Sequence, residues 1–460
     1  MPHGFRSGSG RILEENAMVR RRVWFTLVLL LLCPVGYAIE KHEEVDIDPS
    51  QPLSLEQCIE LALENSSDMQ HGRLNLALQD LRVTDARAQY LPEISFNGQY
   101  SFSDDIAFGL NRQNYNLGVT GRYTLWDHGQ RAAKYLRTKK RRKETGSQNE
   151  RIRQHLIFQI TQAYYAVLKG EELVKVSREI LERSRENTAA TRVHVEVGNL
   201  IPADIATSQV REANDELNLL SNENDLKMSK TILPRLMGLK PGMSISLVRD
   251  TDYEKYREEI GIQIMGRSVD EAIQVAFENR PEFKEINAVL SQIDSDLAVA
   301  KLNRWPQLDA DFSYKVNLHD YLHEREHFNE YRSWDFTTRL NFPIFDGGFA
   351  RRRVREGELL LEKTREDAME LERSIALEVW QAYLSLNRAE RAIEISGTQV
   401  RNAAASLEVI RGRFEQELAF LLELLDAQTR YAQAMTNQVR SFYDYRIACS
   451  ALQRTMGTLK

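Results

Sequence analysis

Four stretches of the chain alternate between apolar and polar residues with a period of two. In the first, Ile94, Phe96, Gly98, Tyr100 and Phe102 interleave with Ser95, Asn97, Gln99, Ser101 and Ser103. In the second, Tyr115, Leu117, Val119, Gly121, Tyr123 and Leu125 interleave with Asn116, Gly118, Thr120, Arg122 and Thr124. Leu308, Ala310, Phe312, Tyr314, Val316 and Leu318 repeat the pattern against Asp309, Asp311, Ser313, Lys315 and Asn317, and Trp334, Phe336, Thr338, Leu340, Phe342 and Ile344 against Asp335, Thr337, Arg339 and Asn341. Successive side chains of a strand point to opposite faces, so each stretch predicts a strand with one apolar and one polar side. The strands cover about 93–103, 114–126, 308–318 and 334–345. A strand of about ten residues crosses a bilayer when tilted. A soluble sheet packed on helices alternates in the same way, but aromatic residues near the strand ends (Phe102, Tyr123, Trp334, Phe345) are placed like the girdles of a membrane interface. Lipid tolerates no open sheet edge, and the smallest membrane barrels have about eight strands. Four strands per chain therefore predict a barrel shared by several chains, whose number the alternation leaves open.

Elsewhere the period is helical. From Trp126 the chain runs without proline to Pro202, which as one helix of about 70 residues is roughly 100 Å long, several times an ordinary globular helix. A second such run follows Phe345-Asp346-Gly347-Gly348 and ends in a turn near Glu417. A shorter helix is predicted over about 54–90, with Ser54 as N-cap, Gln57 three residues on, and Pro92 as the stop. Another is predicted over about 203–238. Laid end to end, the two short helices match the long one, so the prediction is a wall of long antiparallel helices with a seam at mid-height.

The chain also reads twice. Ser54-Leu55-Glu56-Gln57-Cys58-Ile59-Glu60-Leu61-Ala62-Leu63-Glu64-Asn65 aligns with Ser268-Val269-Asp270-Glu271-Ala272-Ile273-Gln274-Val275-Ala276-Phe277-Glu278-Asn279. At the same offset Pro92 falls on Pro306; at an offset about five residues larger, Asp127 falls on Asp346, Gln162-Ala163-Tyr164 on Gln381-Ala382-Tyr383, and Met237-Gly238 on Met456-Gly457, so the second copy is longer between Pro306 and Asp346. Matches that hold order through both halves mark a duplicated unit of helix, two strands, long helix and helix. The repeats are assigned to 54–240 and 268–460, joined by a Gly-, Pro- and charge-rich linker at 241–267.

Composition narrows the reading further. The chain has 460 residues, 28% of them charged, and a net charge of −6, which favours a helix-rich protein and gives no reason to expect nucleic acid. Residues 1–38 have the form of a secretory signal, with Arg20-Arg21-Arg22, an apolar core from Val23 to Leu32, and cleavage after Ala38; 39–53 then form an N-terminal linker. Cys33 falls inside the signal, and Leu32 and Pro34 beside it are unlike a lipidation site. That leaves Cys58 and Cys449, both expected near mid-height, as a candidate disulfide in an oxidising compartment or as two buried thiols.

Leu91-Pro92 and Trp305-Pro306 before the first strand of each half, Leu125-Trp126-Asp127-His128-Gly129 and Ile344-Phe345-Asp346-Gly347-Gly348 at the strand exits, and the two Gln-Ala-Tyr motifs resemble the TolC-type outer-membrane efflux channel family. The resemblance covers nearly the whole mature chain. It implies a mainly α protein with a transmembrane β-barrel portion, in which a homotrimer builds a twelve-stranded barrel on a long α-helical tunnel. It further implies a passive exit duct in the outer membrane, with its helices in the periplasm, working with a periplasmic adaptor and an inner-membrane pump and needing no cofactor. The turns near 197–204 and 414–426 then correspond to the tunnel tips. The resemblance places gating residues at Asp204, Phe414, Glu423 and Asp426, and adaptor contacts at Val197, Gly198, Asn199, Leu200, Glu417 and Leu418. Three-fold carboxylate rings would favour cations; ordinary solvated acids at helix ends are the plainer reading. Ala419 stands where a partner arginine would close a salt-bridge lock, and Glu417-Leu418 replaces the usual Gly-Leu of the second tip.

Two motifs point elsewhere. His323-Glu324-Arg325-Glu326-His327 matches HExxH, which on a helix binds zinc with its glutamate as base. Here it sits between two predicted strands, so a solvated loop is expected rather than a metalloprotease site, with His319, His323 and His327 the candidate metal ligands. The basic runs Lys139-Lys140-Arg141-Arg142-Lys143 and Arg351-Arg352-Arg353 follow the strand exits and read as solvated helix faces near outer-membrane lipid. A helical envelope scaffold without a channel is the remaining alternative.

Overall fold

The computed structural model describes residues 52–105, 110–249, 268–321, 329–416 and 418–459. The predicted signal segment with Cys33, most of both predicted linkers, Glu417, and the HExxH stretch with His323 and His327 lie outside the described residues; His319 belongs to a strand. The first half consists of α1 (Leu55–Asn65), α2 (Ser67–Ala88), β1 (Glu93–Asp105), β2 (Leu110–Trp126), α3 (Gln130–Glu196) and α4 (Pro202–Leu236). The second consists of α5 (Val269–Asn279), α6 (Pro281–Leu302), β3 (Gln307–Tyr321), β4 (Asn329–Asn341), α7 (Phe349–Glu415) and α8 (Leu421–Thr455). Helix lengths agree residue for residue between the halves: 11 for α1 and α5, 22 for α2 and α6, 67 for α3 and α7, 35 for α4 and α8. The duplicated unit inferred from sequence is thus a duplicated set of elements.

Three expectations need correction. The helix predicted over 54–90 is two helices. Ser66 has an extended backbone (ψ 139°), and its hydroxyl accepts the Met69 N–H at 3.3 Å to start α2 anew. Arg280 makes the same break in the second half, where Pro281 opens α6 in the position that needs no N–H. β4 ends at Asn341 rather than near 345, since Pro343 has no N–H to give a neighbouring strand. The strands are also longer than expected, at 13, 17, 15 and 13 residues.

The sheet is antiparallel throughout, in the order β1-β2-β3-β4. Its register lines up Phe96, Val119, Tyr314 and Trp334 on one face and Ser95, Thr120, Ser313 and Asp335 on the other. The polar face is cross-linked by side chains: Ser95 to Thr120 at 2.6 Å, Thr124 to Asp309 at 2.8 Å, and Arg122 to Asp311 at 3.0 Å. A bulge at Leu125 shifts the register so that Trp126 pairs with Leu308. That shift turns Trp126 onto the apolar face, as bulges do when they re-aim a side chain.

Below the sheet, α3 packs against α2 and α4 on one side and against α6 and α8 on the other, and α7 packs against α6 and α8. The wall therefore runs α2/α4, α3, α6/α8, α7. Large apolar side chains stand exposed on its two flanks: Leu74, Leu78 and Leu81 on α2, Val210, Leu217 and Leu220 on α4, and Leu377, Trp380 and Leu384 on α7. No helix is long and apolar enough to cross a membrane among the described residues. At mid-height α5, α7 and α8 share a core of Ala272, Ala276, Ile375, Val379, Tyr445, Cys449 and Leu452. Residues 246–248 of the linker pair with Leu53, and the Tyr164 hydroxyl donates to the Val248 carbonyl at 2.7 Å. Cys58 and Cys449 are both buried free thiols rather than a disulfide. Cys449 packs with Ala272, whose counterpart in the repeat is Cys58, so the two sulfurs occupy separate, repeat-related cores.

Candidate functional site

The long helices end in tight turns at the far end from the sheet. α3 stops at Gly198, which lies in the left-handed region (φ 84°) where glycine carries no Cβ penalty. The Asn199 N–H then returns to the His194 carbonyl at 2.8 Å. Pro202 opens α4, and its N-cap is Ile201, which has no side-chain acceptor. Asp204 supplies the missing group: its carboxylate accepts the Ile201 N–H at 3.1 Å while its own N–H bonds the Ile201 carbonyl at 2.9 Å. The second turn is tied differently. The Leu418 N–H bonds the Arg413 carbonyl at 2.8 Å, and the Arg413 guanidinium donates to the Leu418 carbonyl at 3.0 Å. Phe420 is the N-cap of α8, and the Glu423 N–H returns to its carbonyl at 3.0 Å.

The two turns meet around a hollow of about 750 Å³. Asp204, Phe414 and Glu423 line it together, with Asn199, Leu200 and Leu418. His194 faces Phe414 edge-on across it, with ring centroids 5.8 Å apart. The repeat register makes Asp204 and Glu423 equivalent positions, so the hollow gathers one carboxylate from each half. They are not equivalent chemically: the Asp204 carboxylate is engaged as a cap, whereas the Glu423 carboxylate has no hydrogen-bond or ion-pair partner among the described residues. Asp426 does not join them; it is exposed and ion-paired with Arg430 at 2.8 Å, one turn along α8. Val197 and Gly198 sit outside the hollow and exposed. Ile201, Phe420 and Leu422, which sequence reasoning passed over, are exposed with Val197 and Leu418 as an apolar rim, Phe420 at 78%. Their signal was available: large apolar residues persist where the helical pattern stops. His194 was missed because only the folded turn brings it opposite Phe414. Two carboxylates in an apolar rim can attract cations and seat an apolar partner. No group of three or more His, Cys, Asp or Glu side chains able to hold a metal occurs among the described residues.

The strand exits supply the other built feature. Asp127 accepts the Gly129 N–H at 3.1 Å and the Arg131 N–H at 2.9 Å, and pairs with the Arg131 guanidinium at 2.8 Å. Burial pushes its pKa up, but the Arg131 N–H and guanidinium and the Gly129 N–H outweigh it and hold the carboxyl below its ordinary value. Asp346 caps α7 in the same way, through the Gly348 N–H at 2.9 Å and the Ala350 N–H at 2.7 Å.

Comparison with known proteins agrees with this architecture. The family model described as outer membrane efflux protein matches residues 58–239 and again 272–458. The chain is 21% identical over 387 residues to outer membrane protein TolC of Vibrio cholerae, covering 82% of this chain and 84% of that protein. It is 23% identical over 420 residues to protein CyaE of Bordetella pertussis, covering 90% and 85%. Among solved structures, CusC superposes with a TM-score of 0.76 at 14% identity over 88% of this chain and 92% of that one. The CmeC outer membrane channel of Campylobacter jejuni superposes with a TM-score of 0.74 at 14% identity over 88% and 85%. With the family model matched once in each half, over most of its length, the chain belongs to the outer membrane efflux protein family.

Proposed function

We propose that the paired turns are the closable mouth of the duct, with Asp204 and Glu423 setting which ions pass and Phe414 and His194 narrowing the opening. The duct itself is an outer-membrane exit channel for efflux or secretion, not an enzyme. It works as a homotrimer with a periplasmic adaptor and an inner-membrane pump, its helices in the periplasm. The observation that carries the mouth assignment is the hollow that joins one carboxylate from each repeat to an aromatic pair at the end of the tunnel helices. Three copies bring six carboxylates to one opening, and charged rings of that kind select cations. The exposed rim of Val197, Ile201, Leu418, Phe420 and Leu422 suits an apolar adaptor hairpin. Ala419 leaves the mouth without the arginine of a salt-bridge lock, so closure rests on packing of Phe414 and on carboxylates held by cations.

The test is planar-bilayer conductance of the purified trimer. Asp204→Asn keeps an acceptor for the Ile201 N–H while dropping the charge, and Glu423→Gln drops the second. The double variant is expected to raise conductance and lower cation preference. An intact trimer with unchanged conductance and selectivity would remove the assignment of these turns as the mouth.

A further inference from the structure

The first strand exit carries a cluster that the second lacks. The bulge at Leu125 turns Trp126 onto the apolar face, and the His128 ring lies between two indoles, 3.6 Å from Trp126 and 4.9 Å from Trp305 by centroid. His128 is the one non-glycine residue with a positive φ (51°) among the described residues, and its Nε2 is buried with no hydrogen-bond partner there. Arg131 stacks on Tyr90 at 5.2 Å and on Tyr123 at 5.8 Å while paired to Asp127. Lys134, one turn below, and Arg304, in the turn before β3, are exposed and without ion-pair partners among the described residues. In the second repeat the equivalent positions are Phe345 for Trp126, Gly347 for His128 and Ala350 for Arg131. Glycine is the unstrained choice at that backbone position, so the first repeat holds an imidazole in a strained conformation where its copy needs none. Strain retained at one place is a mark of a site.

The cluster sits where β2 gives way to α3 and α6 to β3, and these elements are central in the chain rather than on its open flanks. A second copy of the chain therefore does not cover it. Its depth is the boundary between the apolar band and the periplasmic helices, where indoles belong. Lys134 and Arg304 bring positive charge to it, while the acid at its centre, Asp127, is consumed by the helix cap and Arg131. We propose that this cluster binds the phosphodiester headgroup of an anionic phospholipid in the periplasm-facing leaflet. In this site Lys134 and Arg304 neutralise the phosphate, the His128 Nε2 reaches it as a hydrogen-bond partner, and Trp126 and Trp305 hold the glycerol and upper acyl region. One site per chain gives three around the duct.

The experiment mixes phosphatidylglycerol and phosphatidylcholine equally and reads the lipids retained on the trimer by native mass spectrometry. The wild-type trimer is expected to retain phosphatidylglycerol preferentially. Each basic residue near an anionic surface contributes about fivefold, so Lys134→Gln with Arg304→Gln should lower that preference by up to roughly 25-fold. His128→Gly removes the imidazole while suiting the backbone, and should lower the preference without loss of the trimer. A preference unchanged in the Lys134/Arg304 variant, or one abolished by glycerol 3-phosphate at equal concentration, would overturn the proposal; the second result would mean a small-phosphate site. Should the variants fail to assemble, the wild type alone decides: brominated phosphatidylglycerol must quench its tryptophan fluorescence more strongly than brominated phosphatidylcholine, and equal quenching overturns the proposal.

Discussion

Gly238→Ala should be among the most damaging single-methyl changes in the protein. Gly238 follows α4, has φ 77°, and lies where an added Cβ would meet the Asn65 carbonyl oxygen at 2.5 Å and its carbon at 2.7 Å. Asn65 is the last residue of α1, so the obstacle is backbone at a helix end and cannot rotate away. Two costs combine. An L-residue in the left-handed region loses about 1–2 kcal/mol, and forcing a methyl into packed backbone costs about 1–3 kcal/mol more. Gly242 separates them, since its φ is 84° but nothing lies within 4 Å of its would-be Cβ. Gly242→Ala should therefore show only the first cost. The repeat offers an internal check: Gly457 after α8 has φ 71°, and its Cβ would come within 2.8 Å of the Arg280 nitrogen at the end of α5. Thermal loss of the helical circular-dichroism signal, measured on detergent-purified trimer, should rank wild type above Gly242→Ala and that above Gly238→Ala and Gly457→Ala. Equal midpoints for the Gly238 and Gly242 variants would show that the close approach to Asn65 contributes nothing, and with it the account of why Met-Gly recurs in both halves.

Asp127→Asn keeps an acceptor for the helix-start N–H groups but drops the charge paired with Arg131, and should cost about 0.3–1 kcal/mol at neutral pH, the range for a charge at a helix N-terminus. Its carboxyl is held below the ordinary value, so the stabilisation is complete above the unfolded carboxylate range and is lost as pH falls through the depressed folded value. Wild-type stability should accordingly fall more steeply than that of Asp127→Asn in acid titrations followed by circular dichroism; parallel curves would contradict the capping role. On the sheet, Leu117 belongs to the apolar face and its neighbour Asn116 to the polar one. A lysine on the lipid face near the midplane costs about 2–4 kcal/mol, so Leu117→Lys should depress folding into vesicles while Asn116→Lys does not. Equal yields would invert the assignment of faces.

Much of this architecture was legible because its signals are long. The alternation over strands, the proline-free runs and the doubled motifs each persist over many residues, and all three point to one duplicated unit. The errors came where a single residue decides. Ser66 lies inside an unbroken helical periodicity, so its role as a second N-cap shows only in the structure, although Pro281 at the matching place in the other half marks the same break. Pro343 should have ended β4 early, but Phe342 and Ile344 continue the alternation around it. The proposed mouth was legible in part. The repeat register already pairs Asp204 with Glu423 and sets Asp426 opposite Thr207, and the i,i+4 spacing of Asp426 and Arg430 already allows their ion pair; what the sequence does not show is that Asp426 stays outside the hollow. The lipid-facing cluster was invisible, since it depends on a bulge that changes the face of one tryptophan.

The open edges of the sheet and of the helical wall fall at the same ends of the chain. β1 follows α2 directly, and α2 and α4 form one flank of the wall; β4 leads into α7, which forms the other. A neighbouring copy that pairs its β1 with an exposed β4 therefore also brings its α2 and α4, with Leu74, Leu78, Leu217 and Leu220, against the apolar face of α7. Backbone hydrogen bonds in lipid and side-chain burial in water are then satisfied by one docking step. Neither could hold the assembly alone with the other left open: an unpaired strand edge is not tolerated in the bilayer, and an exposed apolar stripe of this extent marks an interaction surface. The duplication explains how one step suffices. Two copies of the same unit end in complementary flanks because each begins with the short helices and ends with the long helix and its return, so the junction between chains repeats, with different side chains, the junction already present within the chain between α3 and α6.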